Sequence, residues 1–134
     1  MKEILKTRDT FPKLLVRNAE TFGDRKVAMR EKEFGIWQEF SWKEYHDHVK
    51  YFSLGMVSLG LQAGDKVAII GDNRPEWVWG EVAAQAAGAV PLGLYQDSTL
   101  KEVSYIIDHS DASFVLAEDQ EQVDKILDMK EQLP

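Results

Sequence analysis

Three histidines stand beside carboxylates in this sequence, and such pairs can bind a metal ion or move a proton. His46 and His48 flank Asp47. Residues two positions apart on a helix point about 200° from each other, so both imidazoles cannot hold one ion, and we expect a solvated surface. His109 follows Asp108, but no Gly-x-Ser-x-Gly turn supplies a nucleophile for it to activate. We therefore predict no catalytic residue and no metal site.

A phosphate-binding loop is the next possibility, at residues 71–75. This segment follows a predicted strand, where dinucleotide-binding folds place a glycine-rich turn. It has one glycine, however, and Asp72 would repel an anion, so Arg74 is its only attraction for phosphate. We expect a capped structural turn here. Acidic pairs such as Glu31 and Glu33 lie in polar runs, and we expect them to be solvated.

The composition narrows the class of protein. Of the 134 residues, 44% are hydrophobic and 29% are charged, which is typical of a globular domain and not of a disordered chain. The absence of cysteine excludes disulfides and thiolate zinc sites. The net charge of −7 disfavours nucleic acid as a partner, because phosphate binding needs a basic surface. We find no transmembrane segment or signal peptide, and expect a cytoplasmic protein.

The positive charge is concentrated at the start of the chain, where residues 1–32 hold nine of the 16 Lys and Arg. Apolar residues lie between the basic ones, which is a pattern that can bind an anionic membrane surface. The more ordinary alternative is a first helix that packs on its own protein, and we favour it. The basic residues concerned are Lys2, Lys6, Arg8, Lys13 and Arg17.

The first 60 residues predict a helix, a hairpin and a second helix. The first helix covers 11–22, and the hairpin strands cover 26–30 and 36–40 around a polar turn. Ser41 and Glu44 form a capping box, in which hydroxyl and carboxylate satisfy free amides at a helix start. An apolar residue then recurs every three or four positions as far as Gly60.

Strands and helices alternate from residue 66 onwards. The predicted strands are 66–70, 89–94 and 113–117, and the helices between and after them begin near Pro75, Thr99 and Asp119. We expect Val123, Ile126 and Leu127 on the core side of the last helix, and expect at least one of Trp77 and Trp79 to face away from the core. This order predicts an α/β fold: a three-layer-like segment, with a short parallel sheet flanked by helices, plus an N-terminal helix and hairpin.

Four stretches of the sequence, in the same order, resemble the AMP-forming acyl-CoA synthetases of the adenylate-forming ligase superfamily. The most distinctive is 64–77, which reads GDKVAIIGDNRPEW. The others are the helix start at 40–45, the strand entry at 84–92 and the helix at 102–112. The sequence at 95–98 resembles long-chain fatty-acid–CoA ligases more closely than acetate-type enzymes. The resemblance covers residues 10–130.

The resemblance implies a parent enzyme that uses ATP, Mg²⁺ and CoA to convert a fatty acid to its CoA thioester through an acyl-adenylate. The family's ATP chemistry depends on four motifs that lie downstream of the matching region, and none of them occurs in 1–134. They are the loop that holds the phosphates, the Thr-Glu pair that binds magnesium, the Asp that binds the ribose and the Lys required for adenylation. We therefore expect residues 1–134 to be a partial N-terminal domain without activity of its own. The loop that borders the CoA nucleotide in acetate-type relatives corresponds to Tyr95, Gln96 and Asp97.

Two other expectations follow. The remainder of the ligase chain would be the main partner of this segment, and uncovered sheet edges would favour self-association. The alternative to the ligase interpretation is a free-standing α/β module that binds a ligand or another protein without catalysis.

Overall fold

A computed structural model describes residues 10–130, which contain five helices, five strands and a short 3-10 turn after the first helix. Of the basic N-terminal residues, Lys2, Lys6 and Arg8 lie outside this range. No helix within it is both long and apolar enough to cross a bilayer. The helices are α1 (Phe11–Phe22), α2 (Trp42–Ser58), α3 (Pro75–Ala86), α4 (Leu100–Ser110) and α5 (Gln120–Met129), and the strands are β1 (Val27–Glu33), β2 (Ile36–Ser41), β3 (Lys66–Ile70), β4 (Val90–Leu94) and β5 (Ala112–Ala117).

The parallel sheet has β3 at its centre, with β4 on one side and β5 on the other. Successive side chains of β3 point to opposite faces. Val67 and Ile69 belong to a core shared with α1, α2 and α3, whereas Ala68 and Ile70 belong to a second core with α4 and α5. Helices therefore cover both faces of the sheet, and the predicted three-layer α/β architecture is confirmed.

Strand β4 lies at an edge of this sheet and contains a proline. The backbone N–H of Val90 donates to the carbonyl of Asp65 at 2.8 Å, so the backbone groups of Val90 face the central strand. Neighbouring residues of a strand turn their backbone groups to opposite sides, so position 91 faces the outer edge. Pro91, which has no N–H, is tolerated there because no described strand pairs with that edge.

Local side-chain bonds set the starts of three helices as the sequence predicts. The Ser41 hydroxyl accepts from the Glu44 N–H at 3.1 Å, and the Glu44 carboxylate accepts from the Ser41 N–H at 2.7 Å. Thr99 makes the same reciprocal arrangement at the start of α4. Asp119 accepts from the Gln122 N–H at 3.0 Å at the start of α5.

The hairpin is longer than predicted, because β1 continues through Glu33 and its turn contains two residues. Phe34 and Gly35 have φ values of 47° and 82°, the left-handed pair of a type I′ hairpin turn. The charged run at 31–33 suggests a turn in sequence. It forms strand instead because Lys32 and Glu33 are exposed to solvent and Glu31 pairs with Arg74.

The prediction for the core side of α5 is wrong in two of its three residues. Val123 and Leu127 are exposed, and Ile126 alone of the three contributes to the core. The buried residues are Gln122 and Met129, which share a face with Ile126 at spacings of four and three. Hydrophobicity alone favours the stripe with Leu127, but the packing of α5 against β5 and α4 selects the stripe with Met129.

Paired truncations on α5 test this assignment. Met129→Ala, at a side chain that is 1% exposed, should lower the free energy of unfolding by about 2–5 kcal/mol, because it leaves a cavity. Leu127→Ala, at a side chain that is 56% exposed, should change it by less than about 0.5 kcal/mol. Urea unfolding of both variants is the measurement. A larger loss for Leu127→Ala than for Met129→Ala would restore the face predicted from sequence.

Candidate functional site

An open cleft of ≈ 560 Å³ lies at the carboxyl ends of β3 and β4. In open α/β sheets the crevice outside the carboxyl ends of the strands is the usual place for a ligand. One wall is the loop between β3 and α3, and the other is the loop between β4 and α4. The lining residues are Gly71, Asp72, Asn73, Trp77, Gly93, Leu94, Tyr95, Gln96 and Asp97.

The three residues predicted to border a CoA nucleotide all line this cleft. Tyr95 is 86% exposed, so its ring is available to a ligand. Gln96 ties its loop to the opposite wall, because its side-chain amide donates to the Asp72 carboxylate at 3.1 Å. The Gln96 carbonyl in turn accepts from the ammonium of Lys125 on α5 at 2.8 Å. Asp97 completes this side of the cleft.

Trp77 separates this cleft from a second one, of ≈ 360 Å³, at the carboxyl ends of β3 and β5. Its half-buried indole lies against Gly93, where an added Cβ would be 2.9 Å from Cζ2 of the ring. Trp79, two positions further on, is buried and stacks on His48 with ring centroids 3.9 Å apart. The expectation that one of the two tryptophans faces away from the core is wrong, because half-buried Trp77 packs against the core that contains Trp79 and also lines the cleft.

Arg74 is held by carboxylates from two other parts of the chain. Its Nε donates to Glu31 at 2.8 Å, and its terminal nitrogens lie 3.7 Å from Glu33 and 3.5 Å from Glu118. The hydrogen bond and charge of Glu31 are the main causes that raise the pKa of the Arg74 guanidinium. Because three carboxylates already surround this cation, it is poorly placed to attract a phosphate.

The segment before α3 is a turn, but the prediction that a side chain caps it is wrong. Arg74 is the N-terminal cap residue of α3, and no side chain caps this helix, which begins instead with Pro75. Proline suits the first turn because it has no N–H to satisfy there. Sequence patterns missed the carboxylate contacts of Arg74, since Glu31 and Glu118 are each more than 40 residues away along the chain.

Glu118 joins the end of β5 to the end of β3. Its backbone N–H donates to the Ile70 carbonyl at 3.1 Å, and its carboxylate accepts from the backbone N–H of Asp72. Gly71 leaves the room for this contact, because a Cβ at this position would lie 2.7 Å from the Glu118 Cβ. A glycine followed by polar residues signals a turn in sequence, but it does not reveal which side chain fills the space.

The histidines make ordinary structural contacts. His46 lies 3.2 Å from Asp47, and the His109 ring stacks on Tyr105 with centroids 5.5 Å apart. Between residues 10 and 130 no three His, Asp or Glu side chains are grouped so that they could hold a metal ion.

Comparison with known proteins assigns the family. The model of the family described as "AMP-binding enzyme" matches residues 15–134. The chain belongs to the AMP-binding enzyme family. Among its relatives, the long-chain-fatty-acid–CoA ligase ACSBG2 of Xenopus laevis is 30% identical over 93% of the chain. The long-chain-fatty-acid–CoA ligase FadD15 of Mycobacterium bovis is 30% identical over 75% of it.

Solved structures share the fold of this chain. The anthranilate CoA ligase AuaEII, in complex with anthranoyl-AMP, superposes on 92% of the chain with a TM-score of 0.82 at 20% sequence identity. The chain covers 23% of that structure and 17% of the length of each of the two relatives. It therefore corresponds to a small part of those ligases.

Two glycine substitutions test the contact between Gly71 and Glu118. Gly71→Ala should lower the free energy of unfolding by about 1–3 kcal/mol, because the new methyl group must displace Glu118. Gly55→Ala, in an exposed part of α2 with nothing within 4 Å of the added Cβ, should raise it by about 0.5–1 kcal/mol. Urea unfolding of the two variants measures both changes. Effects of the same sign would show that Glu118 does not pack tightly on Gly71.

Proposed function

We propose that this chain supplies the N-terminal part of the larger domain of an AMP-forming fatty acyl-CoA ligase. The proposed reaction joins a fatty acid and ATP to give an acyl-adenylate and pyrophosphate, after which the CoA thiol displaces AMP. The observation that carries this proposal is the 30% identity to a long-chain-fatty-acid–CoA ligase over 93% of the chain. The relatives' substrates are taken over here as part of the proposal.

The residues of the cleft suit the adenine and ribose of CoA better than its phosphates. Trp77 and Tyr95 offer aromatic surface, and Asn73 and Gln96 offer amide donors and acceptors, which suit an adenine and its ribose. Asp72 and Asp97 line the same cleft and would repel phosphates. We therefore assign the base end of the CoA nucleotide to Tyr95, Gln96 and Asp97, with its phosphates directed away from the two carboxylates.

The ATP phosphates and Mg²⁺ belong on other residues of the proposed ligase. Arg74, the cation at the start of α3, is surrounded by carboxylates, and the clefts at this sheet edge carry further acidic side chains. In the proposed enzyme, Mg²⁺ would neutralise the phosphates during adenylation. The role of residues 10–130 is to build the sheet and the helical layers on which the ligase site is assembled.

A cytoplasmic location and self-association remain predictions. The outer edges of β4 and β5 pair with no strand among the described residues, and an open sheet edge favours pairing with another chain. The remainder of the ligase would cover such an edge.

Two measurements test the ligase proposal. The native gene, read past the codon for Pro134, should continue in frame into a Ser/Thr/Gly-rich loop that ends in Pro-Lys-Gly. The 134-residue chain, supplied with palmitate, ATP, Mg²⁺ and CoA, should form no palmitoyl-CoA and should show no calorimetric ATP binding. A stop codon at that point, or saturable binding of ATP·Mg²⁺ by the chain, would favour the alternative of a free-standing ligand-binding module.

The CoA assignment has its own test in nuclear magnetic resonance titrations of the chain with CoA. The backbone amides of Gly93, Tyr95 and Asp97 should shift on binding. Asp97→Ala should tighten binding by roughly three- to tenfold, because it removes a negative charge beside an anionic ligand. Asp108→Ala, which changes the net charge equally but lies at the end of α4, away from the cleft, is the control and should have little effect. Shifts confined to other parts of the chain would contradict the assignment.

A further inference from the structure

The hairpin ends in three exposed apolar side chains, which we call the apolar tip: Phe34, Ile36 and Trp37. Their exposed fractions are 96%, 65% and 62%. Phe34 stands at the apex of the turn. Ile36 and Trp37 begin β2, opposite Glu33 and Lys32 respectively. The Lys32 ammonium lies 5.9 Å from the centre of the Trp37 ring.

Phe34 occupies its position at a conformational cost. Its φ of 47° lies in the left-handed region, which bulky residues rarely adopt. Asn, Asp or Gly is the usual residue at such a turn position. With 96% of its surface exposed, Phe34 gains almost no packing to offset this cost. A residue that the fold does not need at that position is a candidate for contact with something outside the chain.

The hairpin is fixed to the rest of the molecule at the base of the tip. Glu31 and Glu33 of β1 both contact Arg74, which precedes α3 at the carboxyl edge of the sheet. The apolar tip and the second cleft, which Arg74 lines, therefore lie at the same end of the molecule. A surface that binds the tip also brings the mouth of the second cleft close to it.

The size and charge of the apolar tip indicate which kind of surface it binds. Its three side chains expose on the order of 400–500 Å², short of the about 800 Å² per partner that a stable protein interface buries. Trp and Phe are well suited to the interfacial layer of a bilayer, and a neighbouring Lys can extend its ammonium to the headgroups. Three carboxylates surround Arg74, and Arg30 of the hairpin is paired with Glu39, so Lys32 leaves this end of the molecule with no excess of positive charge for an anionic surface.

We propose that the apolar tip is a membrane-contact element that inserts into the interfacial layer of a zwitterionic bilayer. Phe34 and Trp37 enter the layer, and Lys32 stays at the headgroups. The contact is independent of the ligase activity proposed above, and it turns the second cleft towards the lipid. It also differs from contact through the basic N-terminal residues, which would require anionic lipid.

Co-sedimentation of the chain with phosphatidylcholine vesicles tests the proposal. The wild-type chain should bind, with little dependence on salt. Phe34→Asn/Trp37→Thr should lower the partition coefficient at least about tenfold, since each lost aromatic contributes through buried apolar area. Tyr51→Gln/Leu54→Gln, which removes two exposed apolar side chains from α2, is the matched control and should bind as the wild type does. Absence of wild-type binding, or equal losses in the two double variants, would overturn the proposal.

Three more measurements distinguish insertion of the tip from a structural role of Phe34, from contact through the basic N-terminus and from dimer formation. Phe34→Asn alone should not lower the melting temperature, because Asn tolerates the left-handed region. A lower melting temperature would give Phe34 a structural role and overturn the proposal. Binding that requires phosphatidylserine and is lost in the triple variant Lys2→Gln/Lys6→Gln/Arg8→Gln would assign the membrane contact to the basic N-terminus. That result would also overturn the proposal. A dimer in light scattering that the tip variant abolishes, without vesicle binding by the wild type, would make a second copy the occupant of the tip.

Discussion

The burial of β3 on both faces is the constraint on which the rest of this structure depends. Its four residues after Lys66 are at most 3% exposed, so helices must cover both faces, and strands must pair with both of its edges to satisfy its backbone. The chain meets this need with the strand–helix alternation that begins at residue 66. Strand β3 leaves the core at its carboxyl end, and both clefts open there.

The ion pairs of Arg74 organise the surface at the carboxyl end of β3. Arg74 draws together a hairpin carboxylate, Glu31, and the carboxylate that follows β5, Glu118. Each pair is partly exposed, so each taken singly contributes little to stability. The ion pairs serve to orient segments of the chain, because one guanidinium fixes the hairpin and the end of β5 relative to the loop before α3. A side chain that resembles a phosphate ligand in sequence serves here to orient three segments.

The features that the sequence predicted are those that short-range chemistry determines. The capping residues Ser41, Thr99 and Asp119 each bond to an amide three residues away, so their spacing is sufficient to place a helix start. The alternation of strands and helices gave the fold class for a similar reason. The cleft could be located in part, since a glycine-containing loop after a buried strand marks the carboxyl edge, and the family resemblance pointed to Tyr95, Gln96 and Asp97.

The features that the sequence did not predict depend on distant parts of the chain. The inward stripe of α5 is chosen by β5 and α4, and a local pattern cannot distinguish Met129 from Leu127. The contact between Gly71 and Glu118 joins residues 47 positions apart in the sequence. Pro91 carries a different kind of consequence. Since it offers no amide hydrogen towards the outer edge of β4, a newly added strand loses a rung of the ladder there, which hinders indiscriminate fibril-like growth yet leaves the portion beyond the proline open to a strand in the proper register.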